Sequence, residues 1–367
     1  MIRCDALVVG GGPAGSTCAR ALGRAGWNVV VVDRARFPRD KVCAGWLTPE
    51  VFPLLDLEPD EYRASGCTLQ DITGFRTGLI GSTHIETNYS RVVSHAIRRF
   101  EFDDFLLRRA GARVLEDSPV VTLRRGDGTW VVNEAIETPL VIGAGGHFCP
   151  VARHLRGGTD TSSPVVAKEV EFKLDPEQAR ATPVVPELFF CRDLEGYGWS
   201  VRKGHYLNVG IGRREHKDFG RHVEEFITFL ERRHTLAPGS QVRWRGHAYL
   251  ACGAGARPIL ADGILLVGDA VGLAYPESGE GIKPAIESGL LAAQTLIASN
   301  GRVGMAALRP YAEALGRLHP QAPRRPAPVR AALATVGRTL LTSPAFTRHV
   351  VLDRWFLRSN DARRGVE

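Results

Sequence analysis

Three glycines near the start of the chain have a spacing that suits the binding of a phosphate group. Gly10, Gly12 and Gly15 would allow a tight turn, a close approach of backbone to a pyrophosphate, and close packing of a helix on a strand. The N-terminus of that helix would add the positive end of its dipole. Asp33 follows 18 residues after Gly15, where its carboxylate can accept hydrogen bonds from ribose hydroxyls. The pattern predicts a dinucleotide site, and a merely glycine-rich turn is the alternative.

A second motif of glycines and acids lies late in the chain. Gly268-Asp269 follows an apolar run, and Gly279-Glu280-Gly281-Ile282 precedes a long helical pattern. A helix that begins near Gly281 would direct its positive dipole end at negative charge on a bound group. A loop that only joins a strand to a helix would leave these glycines and the acid unexplained.

The periodicity of apolar residues predicts the elements that must position these motifs. Strands at 6–9 and 29–32 flank a helix at about 16–26, which makes a βαβ unit. A strand at 264–267 leads towards a helix at about 281–299. Further predicted elements are helices at about 100–112 and 218–233, strands at about 119–124, 129–133 and 139–142, and a mainly β region at 165–212.

The overall composition excludes several other classes of protein. The chain has 367 residues, of which 44% are hydrophobic and 24% charged, so it is neither disordered nor collagen-like. Its seven cysteines are odd in number and lack the spacing of a zinc site, so we expect no metal site and a reducing cytoplasm. The sequence shows neither an apolar stretch long enough for a transmembrane helix nor the pattern of an export signal.

The positive charge is concentrated in the last part of the sequence. Residues 302–367 contain 12 Arg and four acidic residues, and the chain as a whole has a net charge of +7. This segment could lie on an anionic membrane surface, and a solvated helical face is the alternative. Nucleic-acid binding is not expected, because no recognition module accompanies the charge.

Together, the two glycine motifs resemble those of a group of FAD-dependent enzymes that contains geranylgeranyl reductases and, more distantly, aromatic hydroxylases and flavin-dependent halogenases. The resemblance implies an α/β fold with a doubly wound, Rossmann-like FAD-binding domain of the glutathione-reductase type at 1–160 and 250–300. An inserted β-rich substrate domain at 161–249 and a basic helical segment at 301–367 complete the expected organisation. The cofactor-binding residues that the resemblance implies are Gly10, Gly12, Pro13, Ala14, Gly15, Asp33, Arg34, Ala44, Arg99, Gly268, Asp269, Gly279, Glu280, Gly281 and Ile282.

Two further segments are similar to the geranylgeranyl reductases in particular. Lys41-Val42-Cys43-Ala44-Gly45-Trp46 resembles their Cys-Gly-Gly segment over the flavin, which makes Cys43 the candidate catalytic residue; a buried packing role is the alternative. Gly196-Tyr197-Gly198-Trp199 resembles their aromatic hairpin, and alternation onto the core face of a strand would explain the same pattern. The implied substrate-binding residues are Trp46, Tyr197, Trp199, Tyr275 and Pro276.

Two positions concern the flavin and its reductant. Arg99 opens an Arg-x-x-Phe-Asp motif whose arginine contacts the flavin side in the family, and a solvated position on a helix is the alternative. Gly145 stands where the family's Gly-Ala-Asp-Gly motif has its aspartate. Because that acid helps to organise nicotinamide contacts in related hydroxylases, the resemblance leaves open whether NADPH, NADH or an electron-donor protein supplies the electrons.

The resemblance implies an FAD-dependent oxidoreductase that reduces carbon–carbon double bonds of a small apolar isoprenoid or natural-product substrate. A monooxygenase acting on a small aromatic or natural-product substrate is the alternative, because both reactions use the same cofactor site. A third hypothesis is a prenyl-binding protein without catalysis. It predicts that the cofactor motifs are degraded, whereas in this sequence they are present. We expect a cytoplasmic protein, with peripheral membrane contact through the Arg-rich segment as a further expectation.

Overall fold

The computed structural model describes residues 1–157, 164–214, 217–237, 242–252, 257–320 and 327–358. The chain forms two compact units, each built from three separate segments. Unit 1 comprises Met1–Asp40, Phe100–Ser163 and Tyr249–Pro323, and unit 2 comprises Lys41–Arg99, Pro164–Ala248 and Arg324–Glu367. The chain therefore passes from one unit to the other five times.

The elements follow one another in mixed order along the chain. The strands are β1 (Ile2–Arg3), β2 (Ala6–Val9), β3 (Val29–Val32), β4 (Trp46–Leu47), β5 (Leu69–Ile72), β6 (Gly74–Leu79), β7 (His84–Asn88), β8 (Ser94–Ile97), β9 (Arg113–Leu115), β10 (Leu123–Arg125), β11 (Trp130–Val132), β12 (Ile136–Thr138), β13 (Val141–Gly143), β14 (Val165–Lys173), β15 (Glu187–Phe190), β16 (Gly196–Lys203), β17 (Tyr206–Arg213), β18 (Arg245–Tyr249), β19 (Leu260–Ala261) and β20 (Ile264–Leu266). The helices are α1 (Pro13–Arg24), α2 (Val51–Leu54), α3 (Pro59–Ala64), α4 (Arg99–Arg109), α5 (Pro150–Leu155), α6 (Pro176–Ala181), α7 (Phe219–Arg232), α8 (Ile282–Ala298), α9 (Met305–Leu318), α10 (Ala327–Leu340) and α11 (Pro344–Phe346), with 3₁₀ turns at Gly146–Phe148 and Gly268–Ala270 and a π-helix at Thr347–Phe356.

A six-stranded sheet with the order β19-β20-β13-β2-β3-β9 forms the centre of unit 1. All of its pairings are parallel except that of β19 with β20. Strands β2 and β3 are short runs of aliphatic residues buried along their whole length, as expected of parallel strands covered on both faces. Helices α1, α8 and α9 cover one face, and residues of the four-stranded sheet β1-β12-β11-β10 pack on the other. The predicted α/β class is confirmed.

Unit 2 is organised around a seven-stranded sheet with the order β18-β14-β17-β16-β15-β6-β7. The long strands β14, β17 and β16 pair antiparallel. Helix α7 packs on one face of this sheet through Phe226 and Leu230. The other face carries an aromatic and aliphatic core to which the π-helix contributes Leu352 and Phe356. Unit 2 also contains the three-stranded sheet β4-β8-β5.

The structure differs from the sequence-based expectations at several boundaries. Helix α1 begins at Pro13 rather than near residue 16, because proline is favoured in the first turn, where its missing N–H has no intrahelical partner. Residues 41–99, expected within the segment 1–160 of the FAD-binding domain, belong to unit 2. The reason is that β6 pairs in parallel with β15, with Arg76 opposite Glu187. Within the described part of the chain, no helix has the length and apolar character needed to cross a bilayer.

Candidate functional site

The turn between β2 and α1 is packed so closely that Gly10 and Gly15 have no room for side chains. Gly10 has a φ of +116°, and a Cβ atom there would overlap the carbonyl group of Ala144. A Cβ atom on Gly15 would overlap the carbonyl oxygen of Gly10. Helix α1 begins at Pro13 after Gly12, whose position has no side chain to cap the helix. The first amides of α1 are therefore available to an anion, as the sequence predicts.

Asp33 is held by the same turn. Its Oδ2 atom accepts a 2.8 Å hydrogen bond from the amide of Gly11, and its Oδ1 atom accepts one of 2.9 Å from Ala35. The residue is buried at the end of β3, and Arg34 beside it is exposed. The carboxylate is thus fixed by backbone donors and keeps further lone pairs for a ligand's hydroxyl groups.

Arg39, which follows β3 and carries no sequence motif, places its guanidinium group beside this turn. Its Nη2 atom lies 3.1 Å from Oδ2 of Asp103, whose side chain is fully buried. The same Nη2 atom is 3.6 Å from where a Cβ atom of Gly12 would be. Its Nη1 atom is buried and has no hydrogen-bond partner among the described residues. A buried donor beside a phosphate-type turn suits an oxygen-rich ligand.

The second motif lies where α8 begins. Gly268 has a φ of +63°, and its amide donates a 2.9 Å hydrogen bond to Oγ of Ser288 in α8. Gly281 precedes the helix without a side-chain cap, and Oδ1 of Asp269 lies 3.1 Å from where its Cβ atom would be. Asp269 and the N-terminus of α8 therefore lie together, while Ile282 opens the helix and is buried.

Hydrogen bonds within the loop that leads into α8 hold its conformation. The amide of Tyr275 donates to the carbonyl of Glu280 at 2.9 Å, and the amide of Gly279 donates to the carbonyl of Tyr275 at 2.8 Å. The Glu280 carboxylate accepts a 3.2 Å bond from the amide of Lys283 in the first turn of the helix. Tyr275 and Pro276, expected to bind substrate, belong to unit 1, whereas the other three expected substrate residues belong to unit 2.

The Cys43 segment in unit 2 is fixed by backbone contacts. The Cys43 amide donates a 2.8 Å hydrogen bond to Oε2 of Glu169, and the Gly45 amide donates to Sγ of Cys43 at 3.3 Å. Gly45 has a φ of +68°, and a Cβ atom there would overlap the carbonyl oxygen of Ile97. Cys43 is half-buried, which is compatible with both the catalytic role and the packing role. Ala44, an expected cofactor residue, is also half-buried in this segment.

Behind this segment lies a buried polar network on the sheet. Oε2 of Glu169 also accepts from Nδ2 of Asn208 at 3.3 Å, and Trp199 Nε1 donates to Oδ1 of Asn208 at 2.7 Å. Lys203 is fully buried, and its Nζ atom lies 2.8 Å from Oε2 of Glu171. Burial raises the pKa of Glu169 to about 7 against the lowering effect of Lys203 and the Cys43 amide. Residues far apart in sequence thus place one titratable carboxyl directly behind Cys43.

Aromatic rings gather on the same side of the sheet. Trp46 stacks with Phe75 at 4.8 Å between ring centroids and with Phe356 at 5.4 Å. Tyr197 lies 5.4 Å from Phe356 and 6.1 Å from Trp199. The structure thus brings together the three unit 2 residues expected to bind substrate. Phe75 and Phe356 were missed because isolated phenylalanines carry no motif, and Trp199, only 6% exposed, also fits the alternative of a core position.

Arg99 is buried rather than solvated. It opens α4 and is only 8% exposed, so the alternative of a solvated helix position does not apply. It lies in unit 2, as do Cys43 and Ala44. The other expected cofactor residues, from Gly10 to Arg34 and from Gly268 to Ile282, all belong to unit 1.

Comparison with known proteins identifies the family. The model of a family described as FAD dependent oxidoreductases matches residues 5–102 and 105–295. The chain belongs to this family. The resemblance drawn from its motifs is confirmed, and the protein is an FAD-dependent oxidoreductase.

This oxidoreductase is similar to several named proteins. It is 29% identical over 327 residues to the menaquinone reductase of Mycobacterium tuberculosis, across 80% of this chain and 76% of that one. It is 29% identical over 332 residues to the digeranylgeranylglycerophospholipid reductase of Methanothrix thermoacetophila, across 84% and 82% of the two chains. A geranylgeranyl bacteriochlorophyll reductase-like structure from Thermoplasma acidophilum superposes with a TM-score of 0.70 at 23% identity, over 93% of this chain and 88% of that chain. This last likeness shows a common fold.

The residues of unit 1 fit FAD. The glycine turn leaves space only for backbone, so a pyrophosphate could approach the amides of α1. Asp33 offers carboxylate oxygens for a ribose, and the buried Nη1 atom of Arg39 offers a donor that no described residue uses. Asp269 and the N-terminus of α8 supply an acceptor and a positive dipole end at the second motif.

Gly145 has a steric explanation in this oxidoreductase. A Cβ atom there would lie 3.1 Å from Cα and 3.3 Å from Sγ of Cys149. Cys149 is buried, so an aspartate at 145 would require this part of the backbone to move. The aspartate that the resemblance implies at this position would therefore conflict with the close packing of Cys149.

Proposed function

We propose that this oxidoreductase reduces carbon–carbon double bonds of an apolar isoprenoid or other natural-product substrate. The observation that carries the proposal is the aromatic face of unit 2, where Trp46, in the same segment as Cys43, stacks with Phe75 and Phe356. Phe75 and Phe356 are buried and support this face from below, whereas Trp46 and Tyr197 are only half-buried, so their rings can contact an apolar chain and exclude water from it. The two named relatives, both reductases and one of an isoprenoid lipid by its name, support the same class of reaction.

Reduction of an alkene needs a hydride at one carbon and a proton at the other. Bound FAD, once reduced, is a hydride source. We assign the proton to Cys43: a C–H bond forms at the second carbon as the S–H bond breaks, and solvent returns a proton to the sulfur. The hydrogen bond from the Gly45 amide to Sγ would stabilise the sulfur after it has lost its proton. Tyr197 and Trp199 would line the substrate with Trp46.

The electron donor and the membrane contact are further parts of the proposal. NADPH, NADH or an electron-donor protein would reduce the flavin. On helix α10, Val336 is 58% exposed and Leu340 39%, and the two lie one helical turn apart on the same face. An exposed apolar strip in an Arg-rich segment would suit the surface of an anionic membrane. Sedimentation with phosphatidylglycerol vesicles but not phosphatidylcholine vesicles, lost in V336D/L340D, would support this contact.

An anaerobic assay tests the reaction. The protein is reduced with dithionite, which bypasses the unknown donor, and mixed with geranylgeranyl diphosphate as the probe. We expect mass spectrometry to show the gain of two hydrogen atoms per double bond reduced. Cys43→Ala should slow this gain at least about tenfold, within the range for general acid catalysis, whereas Cys67→Ala, another half-buried cysteine of unit 2, should not.

Oxygen separates this proposal from the monooxygenase alternative. A monooxygenase would leave the probe unchanged without oxygen and add one oxygen atom when air is admitted. That result would contradict the reductase proposal. Reduction at an unchanged rate in Cys43→Ala would keep the reductase activity but remove Cys43 as its proton donor.

A further inference from the structure

We propose that Glu169 is a positioning residue whose ionised carboxylate holds the Cys43 segment in place through the Cys43 amide. The inference rests on the proposed role of Cys43. The 2.8 Å bond between the amide and Oε2 of Glu169 joins residues 126 positions apart in the chain. It is a contact from the sheet of unit 2 to the segment that carries the proposed proton donor, and Glu169 itself carries no motif.

The register of the sheet explains why Glu169 can reach the segment. On β14, Glu169 lies opposite Gly210 of β17, and Gly210 in turn lies opposite Trp199 of β16. A Cβ atom on Gly210 would lie 2.8 Å from Cβ of Glu169 and would overlap the Trp199 ring. The missing side chain therefore leaves room for Glu169 and Trp199 on the same face, where Asn208 bonds to both.

The neighbouring charges determine that Glu169, and not the adjacent Glu171, is the carboxyl group that titrates near pH 7. Glu171, its neighbour on the same face of β14, lies 2.8 Å from both Arg98 Nε and Lys203 Nζ. Burial alone would raise the pKa of Glu171, but Lys203 and Arg98 together hold it below its usual value. For Glu169, Lys203 is the cation that lowers the pKa, and the described hydrogen bonds come from the neutral Asn208 amide and the Cys43 amide. Glu171 therefore stays ionised while Glu169 changes state.

Ionisation of Glu169 changes the strength of its hold on the segment. A carboxylate accepts a charge-assisted hydrogen bond roughly twice as strong as a neutral one. Because burial raises the pKa of this group to about 7, the bond to the Cys43 amide strengthens as the pH rises through 7. Proton transfer that depends on Cys43 should rise over the same range.

Glu169→Gln tests this directly. Glutamine keeps an oxygen for the Cys43 amide but cannot ionise, so the variant represents the protonated state of Glu169. We expect its single-turnover rate to stay, on both sides of pH 7, at the level of the wild type at low pH, about threefold to tenfold below the wild-type plateau. Glu169→Ala, which removes the acceptor, should be slower than Glu169→Gln. A wild-type pH dependence in Glu169→Gln would overturn the proposal.

Glu187 provides the matched control. It is also a buried carboxylate of the same sheet, but it lies on the opposite face, where Arg233 donates to it at 2.7 Å. Glu187→Gln should lower stability and keep the wild-type pH dependence of turnover. If Glu187→Gln abolished that dependence as Glu169→Gln does, the effect would belong to any buried carboxylate, and the positioning role would be wrong.

A measurement without turnover separates this inference from the proposed function. Hydrogen exchange of a peptide that covers residues 41–47 reports the protection of the Cys43 amide. Glu169→Ala should exchange this amide faster than the wild type, and Glu187→Gln should not. Unchanged exchange in Glu169→Ala would overturn the inference even if Cys43 is the proton donor. A fully active Cys43→Ala with faster exchange in Glu169→Ala would instead remove the proton role and keep the contact.

Discussion

Gly210 lies directly opposite Trp199 across the β16–β17 pairing, and a methyl group on Gly210 would overlap the indole ring. Gly212, two residues further along the same strand, also faces this side of the sheet but has only ordinary contacts, the nearest at 3.7 Å. The two glycines therefore differ in what they allow. The first makes room for the polar network behind Cys43, and the second does not limit its neighbours.

The first prediction follows from this difference. Gly210→Ala should lower the free energy of unfolding by about 1–3 kcal/mol, the usual cost of overpacking a core. Gly212→Ala should change it by less, because its Cβ atom would have space. Thermal or urea unfolding of both variants measures the effect. Equal stability of the two variants would show that Trp199 can move aside at no cost.

The second prediction concerns the turn between β2 and α1. Gly15→Ala should weaken FAD binding by about tenfold or more, because its Cβ atom would push into the Gly10 carbonyl and open the turn. Gly23→Ala, in the same helix, has its nearest contact at 3.9 Å and serves as the control. The ratio of flavin to protein after denaturation gives the result. A full content of bound flavin in Gly15→Ala would contradict the assignment of this turn to the FAD site.

The third prediction is the pH dependence of stability. The pKa of Glu169 is raised from 4.5 to about 7 in the folded protein, so between these values the folded state binds more protons than the unfolded state. Stability should therefore fall as the pH rises through this window, by roughly 3 kcal/mol from this one group.

Glu169→Gln cannot ionise at this position and therefore lacks this contribution to the pH dependence of stability. Its unfolding free energy relative to the wild type should thus rise between about pH 5 and about pH 8, as measured by urea titration of both proteins. Parallel curves for the two proteins would show that another group accounts for any change with pH.

The fourth prediction concerns the reductant. Because Gly145, where the resemblance implies an aspartate, packs against Cys149, we expect reduction of the bound flavin by NADPH or NADH alone to be slower than turnover. Stopped-flow bleaching of the flavin absorbance measures this, with dithionite as the control for full reduction. Bleaching by either nucleotide at least as fast as turnover would show that the acid is not needed here.

The sequence predicts the parts of the site that depend on local geometry. Gly10, Gly15 and Asp33 could be found because a strand, a tight turn and a helix impose fixed spacings on a short segment. Glu169 could not, since its role depends on the register of β14 against β17 and on a bond to Cys43 far away in sequence. Arg39 lies near the first motif, but no spacing rule requires an arginine there.

The aromatic residues show the same limit. Tyr197 and Trp199 could be identified in the sequence because they stand close together in a segment, now strand β16, that resembles the aromatic hairpin of the geranylgeranyl reductases. Phe75 and Phe356 come from β6 and from the π-helix, and only the folded unit 2 places them beside Trp46. Periodicity identifies a face of one element and gives no information on which distant element will cover it.

The alternation of segments between the two units has a consequence for synthesis on the ribosome. Val141 of β13 pairs with Ile264 of β20, so the central sheet of unit 1 cannot be completed until a strand 123 residues later has been synthesised. Unit 2 has already begun at residue 41, and its last described helices start only at residue 327. Pairings so distant in sequence fold slowly, and the nascent chain carries unpaired aliphatic edges meanwhile. Expression of this protein should therefore depend on chaperones more than its length alone suggests, and neither unit can be produced by cutting the chain at a single point.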